Sequence, residues 1–209
     1  KYCIQQWSEL GDTIFDPCCE RLPRLLIARR LGRNAIGYDI STEFAKWNQH
    51  RLSRLNFEEM ELSEAGCIIE YYNADSRSIH LLDNTMDLIF TSPPYYQQEF
   101  YGTEEGQLGQ LGTYEDFLVG LKAVMSETFR ILKPGKFSIW LVNDFRKDGI
   151  MIPYHADTIR LLQETGHVLH DIVIYQVGKL TAIWAVKNND NKATAKIHEY
   201  ILVARKPEE

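Results

Sequence analysis

The chain has 209 residues, of which 44% are hydrophobic and 25% charged, and its formal net charge is -6. That length suits one well-buried domain rather than two, at about 100 to 200 residues per domain, so residues 1–209 read as a single domain. No apolar run approaches the ~18 residues of a membrane helix, which argues against a membrane partner, and the cysteines (Cys3, Cys18, Cys19, Cys67) lack the spacing of a metal site or a disulfide framework.

In chain order, Tyr2, Ile4, Trp7 and Leu10 recur at near-helical spacing, and Gly11-Asp12 ends that helix. The chain thus opens on a helix already under way and reads as part of a larger parent chain. Thr13–Asp16 predicts a strand, Leu22–Leu31 a helix closed by Gly32, and Ala35–Asp39 a second strand, together one βαβ unit. Ser41-Thr42-Glu43 offers a cap for a helix running to about Leu55, and Ile68–Tyr72 a third strand ending at Asn73-Ala74-Asp75. Met86–Thr91 predicts the fourth strand, Tyr114–Leu132 an amphipathic helix stopped by Pro134-Gly135, and Phe137–Val142 the fifth strand. A helix over His155–Glu164 and strands over His167–Gln176 and His198–Ala204 complete the chain, the last two separated by a polar stretch from Val177 to Lys196.

Strands alternating with helices imply an α/β fold with a mostly parallel sheet covered on both faces. In such sheets ligands bind outside the carboxyl ends of the strands. Asp16, Asp39, Asp75, Ser92 and Asn143 each fall at or just past a predicted strand end, which makes them candidate site residues.

The residues that carry chemistry are Thr91-Ser92-Pro93-Pro94-Tyr95, delivered by the buried strand that holds Asp87-Leu88-Ile89-Phe90. The exocyclic amine of adenine or cytosine is a poor nucleophile because its lone pair is delocalised into the ring. The Ser92 side chain and the Pro93 carbonyl can accept the two amine protons, the fixed φ of the prolines aims that carbonyl, and Tyr95 can stack on the base. A base inside a duplex must first be flipped out, at a cost of a few kcal/mol partly offset by such stacking.

Along nearly its whole length the chain resembles the N4-cytosine and N6-adenine DNA methyltransferases of bacteria and phages. The resemblance is carried by Gly11-Asp12-Thr13-Ile14-Phe15-Asp16-Pro17, Gly37-Tyr38-Asp39-Ile40-Ser41, residues 87–95, Leu132-Lys133-Pro134-Gly135 and His198-Glu199-Tyr200-Ile201-Leu202-Val203. It implies a class I S-adenosylmethionine-dependent methyltransferase fold, Rossmann-like, with a seven-stranded sheet whose last strand is antiparallel. It also implies S-adenosylmethionine as cofactor, held by Asp16, Pro17, Cys18, Asp39, Ile40, Asp75 and Thr91. Asp39 would take the ribose hydroxyls and Asp75 the adenine ring. Ser92, Pro93, Pro94 and Tyr95 would be catalytic, with Tyr96, Asn143 and Lys179 beside the substrate. DNA is the expected partner, ahead of RNA, a homodimer is an open alternative, and the cytoplasm of a bacterium is the expected location. Ser92 leans toward cytosine by resemblance, although both bases occur with serine there. The other function class considered is a methyltransferase-fold module without catalysis that binds nucleic acid or a partner subunit.

The family follows Asp-Pro with Phe-x-Gly-Ser-Gly-Thr-Thr, whereas this chain has Cys18-Cys19-Glu20-Arg21-Leu22-Pro23-Arg24. Glu20 and Leu22 replace both glycines, which predicts backbone strain, a filled pocket, and repulsion of the cofactor carboxylate by Glu20 with Arg21 as compensation. One hypothesis for the change is a compensated slip of reading frame: codons GAG-CGG-TTA for Glu20, Arg21 and Leu22, read one base later, would spell Ser-Gly. The nucleotide sequence tests this directly. Tyr175-Gln176-Val177-Gly178-Lys179 also departs from the family's Trp-x-Lys-x-Asn type of segment. Gly102, Gly106, Gly109 and Gly112 suggest that the loop from Gln97 to Gly112 is a mobile lid. No metal is expected: His167 and His170, three apart on a strand, face opposite ways.

Overall fold

The computed structural model describes residues 1–58, 66–177 and 197–208. A short helix α1 (Tyr2–Trp7) precedes β1 (Thr13–Asp16), α2 (Pro23–Arg30), β2 (Asn34–Asp39), α3 (Thr42–Glu58) and β3 (Ile69–Asn73). Then come β4 (Met86–Thr91), α4 (Tyr114–Ile131), β5 (Leu132–Val142), the short strands β6 (Phe145–Lys147) and β7 (Ile150–Ile152), α5 (Tyr154–Glu164), β8 (Val168–Gln176) and β9 (His198–Arg205). Seven strands form one sheet in the order β3-β2-β1-β4-β5-β9-β8, and β6 and β7 pair separately. β1 to β5 are parallel, while β9 runs antiparallel to both of its neighbours, β5 and β8. This is the seven-stranded, mostly parallel class I methyltransferase sheet.

The central strand shows why the sheet is buried on both faces. All six residues of β4 are buried, as a parallel strand between two helical layers requires. Leu88 and Phe90 pack with Ile4, Leu22, Leu25 and Ala28 from the α1 and α2 side, whereas Met86 and Ile89 pack with Ile131 and Leu132 at the end of α4. Gly37 lets α2 approach β2, because a Cβ there would lie 2.6 Å from Leu25 Cδ1. On the other face α4 and α5 close over β5 and β9 through Phe117, Leu121, Met125, Trp140, Leu161, Leu162 and Leu202. Each such fully buried side chain contributes about 1.5–3 kcal/mol before entropy is counted. α4 starts at an N-cap, Thr113, whose Oγ1 accepts from the Asp116 N–H at 3.1 Å, a contact of about 1 kcal/mol.

Two elements differ from the sequence reading. Pro134-Gly135 does not sit in a loop: β5 begins at Leu132, directly after α4, and the pair lies in an irregular stretch where the register with β4 shifts between Met86 and Leu88. Gly135 N–H still bonds to Lys206 O at 2.9 Å, so the strand continues through the irregularity. The hairpin β6–β7 was not anticipated. Its turn, Asp148-Gly149, has φ of 50° and 79°, the left-handed pair that a two-residue type I′ turn needs.

Candidate active site

The strand order reverses direction between β1 and β4, and the cleft opens outside the carboxyl ends of these strands. It has a volume of about 240 Å³. Its floor is Pro17, Cys18 and Glu20 after β1; one wall is Asp39 and Ile40 after β2 with Asp75 and Ser76 after β3; the other is Ser92, Pro93, Pro94 and Tyr95 after β4. Glu99, Tyr101 and Gly106–Leu108 roof it.

The loop after β1 keeps the backbone of a glycine turn without the glycines. Glu20 has φ 49° and Leu22 φ 37°, so both replacements sit in the left-handed region, as the sequence suggested. Such residues cost of order 1 kcal/mol each and persist only where their surroundings hold them. Here the holding groups are numerous. The Cys19 N–H bonds to Tyr38 O at 3.0 Å, the Glu20 N–H to Asp39 Oδ2 at 2.8 Å, and Asn48 Nδ2 donates to Glu20 O at 2.8 Å. Ser76 Oγ donates to Pro17 O at 2.6 Å, and Arg24 Nη2 to Cys18 O at 2.8 Å.

The side chains of this loop behave differently from what its sequence implied. Leu22 does not fill the cleft: it is fully buried in the core with Ile4, Ile14 and Leu25. Arg21 does not compensate Glu20 either, because its guanidinium lies 5.8 Å from the Phe44 ring and 6.0 Å from the Trp47 ring on α3. Arg24, two residues after Leu22, pairs instead with Asp16 beneath the loop. The two changes at the glycine positions therefore have opposite consequences. Glu20→Gly should raise stability by up to about 1 kcal/mol and tighten cofactor binding, since it relieves φ and removes a carboxylate from the cleft. Leu22→Gly should lower stability by about 2–4 kcal/mol, because the lost core contacts outweigh the relieved φ. Thermal melts with and without S-adenosylmethionine read both; a Glu20→Gly protein that melts lower than wild type contradicts this account.

Asp39 accepts from Glu20 N–H and, at 2.9 Å, from Ser41 N–H. Burial pushes its carboxyl up to about 6, with the Asp16 and Glu20 charges adding and the two N–H bonds opposing. At Asp75 burial pushes the same way, but hydrogen bonds from Arg77, at 2.6 Å from Nη2, hold the carboxyl below the usual range. Burial raises the Cys18 and Cys19 thiols well above their ordinary value, with Asp16 and Asp39 reinforcing it, so neither has the character of a reactive thiolate.

The loop from Gln97 to Gly112 is a built wall rather than a loose lid. Glu104 Oε1 accepts from the Thr42 N–H at 2.8 Å and the Thr42 hydroxyl at 2.6 Å, tying the loop to the start of α3. These bonds hold its carboxyl down at about 2. Gln97 N–H bonds to Gly109 O at 2.9 Å, Gln110 Nε2 donates to Glu99 O at 3.0 Å, and Gln107, Leu108 and Gly109 are buried.

Of the residues singled out in the sequence, Pro17, Cys18, Asp39, Ile40, Asp75, Ser92, Pro93, Pro94 and Tyr95 meet in this cleft. Asp16 and Thr91 lie beneath its lining, both fully buried. Tyr96 turns into the core, donating to Gly112 O at 2.9 Å and packing on Tyr114 and Phe117, because it follows Tyr95 on the opposite side of the chain. Asn143 directly follows β5, its Oδ1 buried and without a partner among the described residues, and lies outside the lining. Lys179 lies outside the described residues.

Tyr154, not singled out in the sequence, holds the acceptor corner. It is fully buried at the start of α5, its hydroxyl donates to Pro94 O at 3.2 Å, and its ring meets Tyr95 edge-on at 5.6 Å. Phe145 meets Tyr95 from another side at 6.1 Å. Glu99 and Tyr101 were missed as well; only their place on a loop just after the motif hinted at them. Burial pushes the Tyr95 hydroxyl up to about 12, with the Glu199 charge adding, so the ring is neutral.

A search of curated proteins finds no significant match. Among solved structures, an S-adenosylmethionine-dependent methyltransferase of Methanosarcina mazei is 14% identical, covers 100% of this chain and 99% of its own, and has a TM-score of 0.69. The [4+2]-cyclase SpnF, 14% identical over 100% of this chain and 80% of its own with a TM-score of 0.64, shows that the same fold hosts other chemistry. A candidate DNA modification methylase of Thermus thermophilus, solved with S-adenosyl-L-methionine, is 29% identical over 64% of this chain, with a TM-score of 0.49. This chain spans 54% of that protein's length. A family model described as DNA methylase, for N6 and N4 methyltransferases, matches residues 86–209, more than half of the sequence and inclusive of the Ser-Pro-Pro-Tyr corner. The chain belongs to this DNA methylase family.

Proposed function

We propose that this protein methylates the exocyclic amine of cytosine (N4) or adenine (N6) in DNA, using S-adenosylmethionine. The observation that carries the reading is the meeting, in one cleft, of Ser92-Pro93-Pro94-Tyr95 with Asp39 and Asp75, so that an amine-acceptor corner faces a nucleoside-binding wall.

The cleft fits the cofactor. Asp39 ends β2 with free lone pairs for ribose hydroxyls, and Ile40 and Leu108 offer apolar contact to the adenine. S-adenosylmethionine supplies a methyl group on a positively charged sulfur, the electrophile an amine can attack. Ser92 Oγ and the Pro93 carbonyl accept the amine's N–H groups and turn its lone pair toward the methyl. Tyr95, held edge-on by Phe145 and Tyr154, stacks the base in that orientation. Tyr154 fixes the turn by engaging the Pro94 carbonyl.

Cofactor binding should depend on pH through Asp39. Its carboxyl titrates at about 6, and hydroxyl recognition requires the ionised form, so affinity is complete above that value and falls as pH drops through it. Calorimetry should show roughly tenfold weaker binding at pH 5 than at pH 7.5, and an Asp39→Asn protein should bind weakly with little pH dependence. Equal affinity at both pH values in wild type would remove Asp39 from the ribose site. Mass spectrometry of nucleosides from DNA treated with protein and cofactor tests the function itself: N4-methylcytosine or N6-methyladenine supports it and identifies the base, whereas neither product contradicts it.

A further inference from the structure

We propose that the β6–β7 hairpin is a wedge that enters the base stack of duplex DNA when the target base leaves it; this rests on the DNA-methyltransferase reading above. The hairpin is anchored at its base and apolar at its tip. Phe145 and Ile152 face each other across it and pack into the core, and Phe145 touches the Tyr95 ring at 6.1 Å. Strand spacing of about 3.3 Å per residue then puts the tip roughly 10 Å from the ring on which the base would stack. Consecutive strand residues face opposite ways, so Ile150 and Met151 place one large aliphatic group on each face of the tip. They are 66% and 40% exposed.

The fold does not need those side chains, since the hairpin is already fastened by its first cross-strand pair and its type I′ turn. Exposed aliphatic groups on a narrow hairpin match the apolar wedges with which proteins unstack DNA steps. The cations complete the match. Arg146 lies opposite Met151 and Lys147 opposite Ile150, and neither forms an ion pair with a carboxylate among the described residues. Among the described residues the Arg146 side chain bonds the Gly149 carbonyl, and Lys147 bonds Gln97 Oε1 and lies 5.1 Å over the Tyr96 ring. Asp148 at the turn offsets one of the two charges, leaving the tip net positive on a chain of net charge -6. Unpaired cations beside an aliphatic tip favour phosphate-flanked bases over an acidic or purely apolar partner.

A wedge matters only when the target is paired. The test uses Ile150→Ser with Met151→Ser and amplified genomic DNA free of methylated amines, duplex or heat-denatured, with transfer read from a labelled cofactor. The variant should lose duplex methylation by at least about tenfold and keep denatured-strand methylation within about a factor of two of wild type. Unchanged duplex activity, equal loss on both forms, or wild-type activity confined to denatured strands would overturn the wedge while leaving the transferase reading in place; where wild type acts on duplex alone, the variant's tenfold loss there with unchanged cofactor affinity supports it. A wild-type protein inert on both forms would overturn the transferase reading and the wedge with it. Calorimetric S-adenosylmethionine binding by the variant, expected at wild-type affinity, verifies that the cleft is intact.

Discussion

Replacing Tyr95 with alanine should reduce methyl transfer at least about hundredfold while changing cofactor affinity by less than about twofold. Base-on-aromatic stacking is worth about 1–3 kcal/mol, and a flipped base without its platform also loses the alignment that Ser92 and Pro93 require. A hundredfold loss corresponds to about 2.7 kcal/mol of transition-state stabilisation, within reach of those two effects together. The ring also packs on Phe145 and Tyr154, so some stability will be lost. A thermal melt separates that loss from the catalytic one, and Tyr95→Phe, which keeps the ring, should retain most of the activity. Parallel loss of cofactor binding in Tyr95→Ala would place this ring in the donor half of the site instead.

The largest effect on stability is expected at Arg24. Its guanidinium pairs with Asp16, whose carboxylate is fully buried at the end of β1 and, among the described residues, accepts otherwise only from the Cys18 N–H at 3.2 Å. Arg24→Ala strands a negative charge beneath the cleft, which costs about 3–5 kcal/mol, a large part of the stability of a domain this size. Arg24→Ala combined with Asp16→Asn should recover part of that loss, because no charge is left uncompensated. Denaturant melts of wild type, Arg24→Ala, Asp16→Asn and the double variant measure the coupling; an additive double variant would deny the pair any.

The sheet was legible because its strands are short apolar runs closed by polar residues. Asp16, Asp39 and Thr91 end β1, β2 and β4 in the structure as they do in the pattern. The hairpin escaped notice because its strands have three residues each, too few for periodicity, although Asp148-Gly149 between two apolar-containing triplets was the usable signal. The donor loop was half legible. Two side chains at glycine positions announced positive φ, but where those side chains went depended on the packing of α1, α2 and α3 around them. Tyr154 was invisible for a related reason: it is 60 residues from the carbonyl it holds, and a tyrosine opening a helix after proline reads as an ordinary core residue. The roof was misread because glycine content speaks of what a backbone can do. Glu104 on Thr42 decides what this one does.

The placement of β9 between β5 and β8 has an architectural consequence. Tyr200 of β9 lies opposite Val142, at the end of β5 beside the cleft, and the connection from β8 leaves and returns at that same edge, with the Val177 N–H bonded to Ile197 O at 2.8 Å. Whatever length of chain joins these two residues, its ends are already fastened together by the sheet. Lengthening or replacing it costs only the slowly growing entropy of a larger loop, roughly 0.6 kcal/mol per doubling. The fold thus carries a socket at the carboxyl edge of its sheet, into which segments of very different size can be exchanged without renegotiating the core.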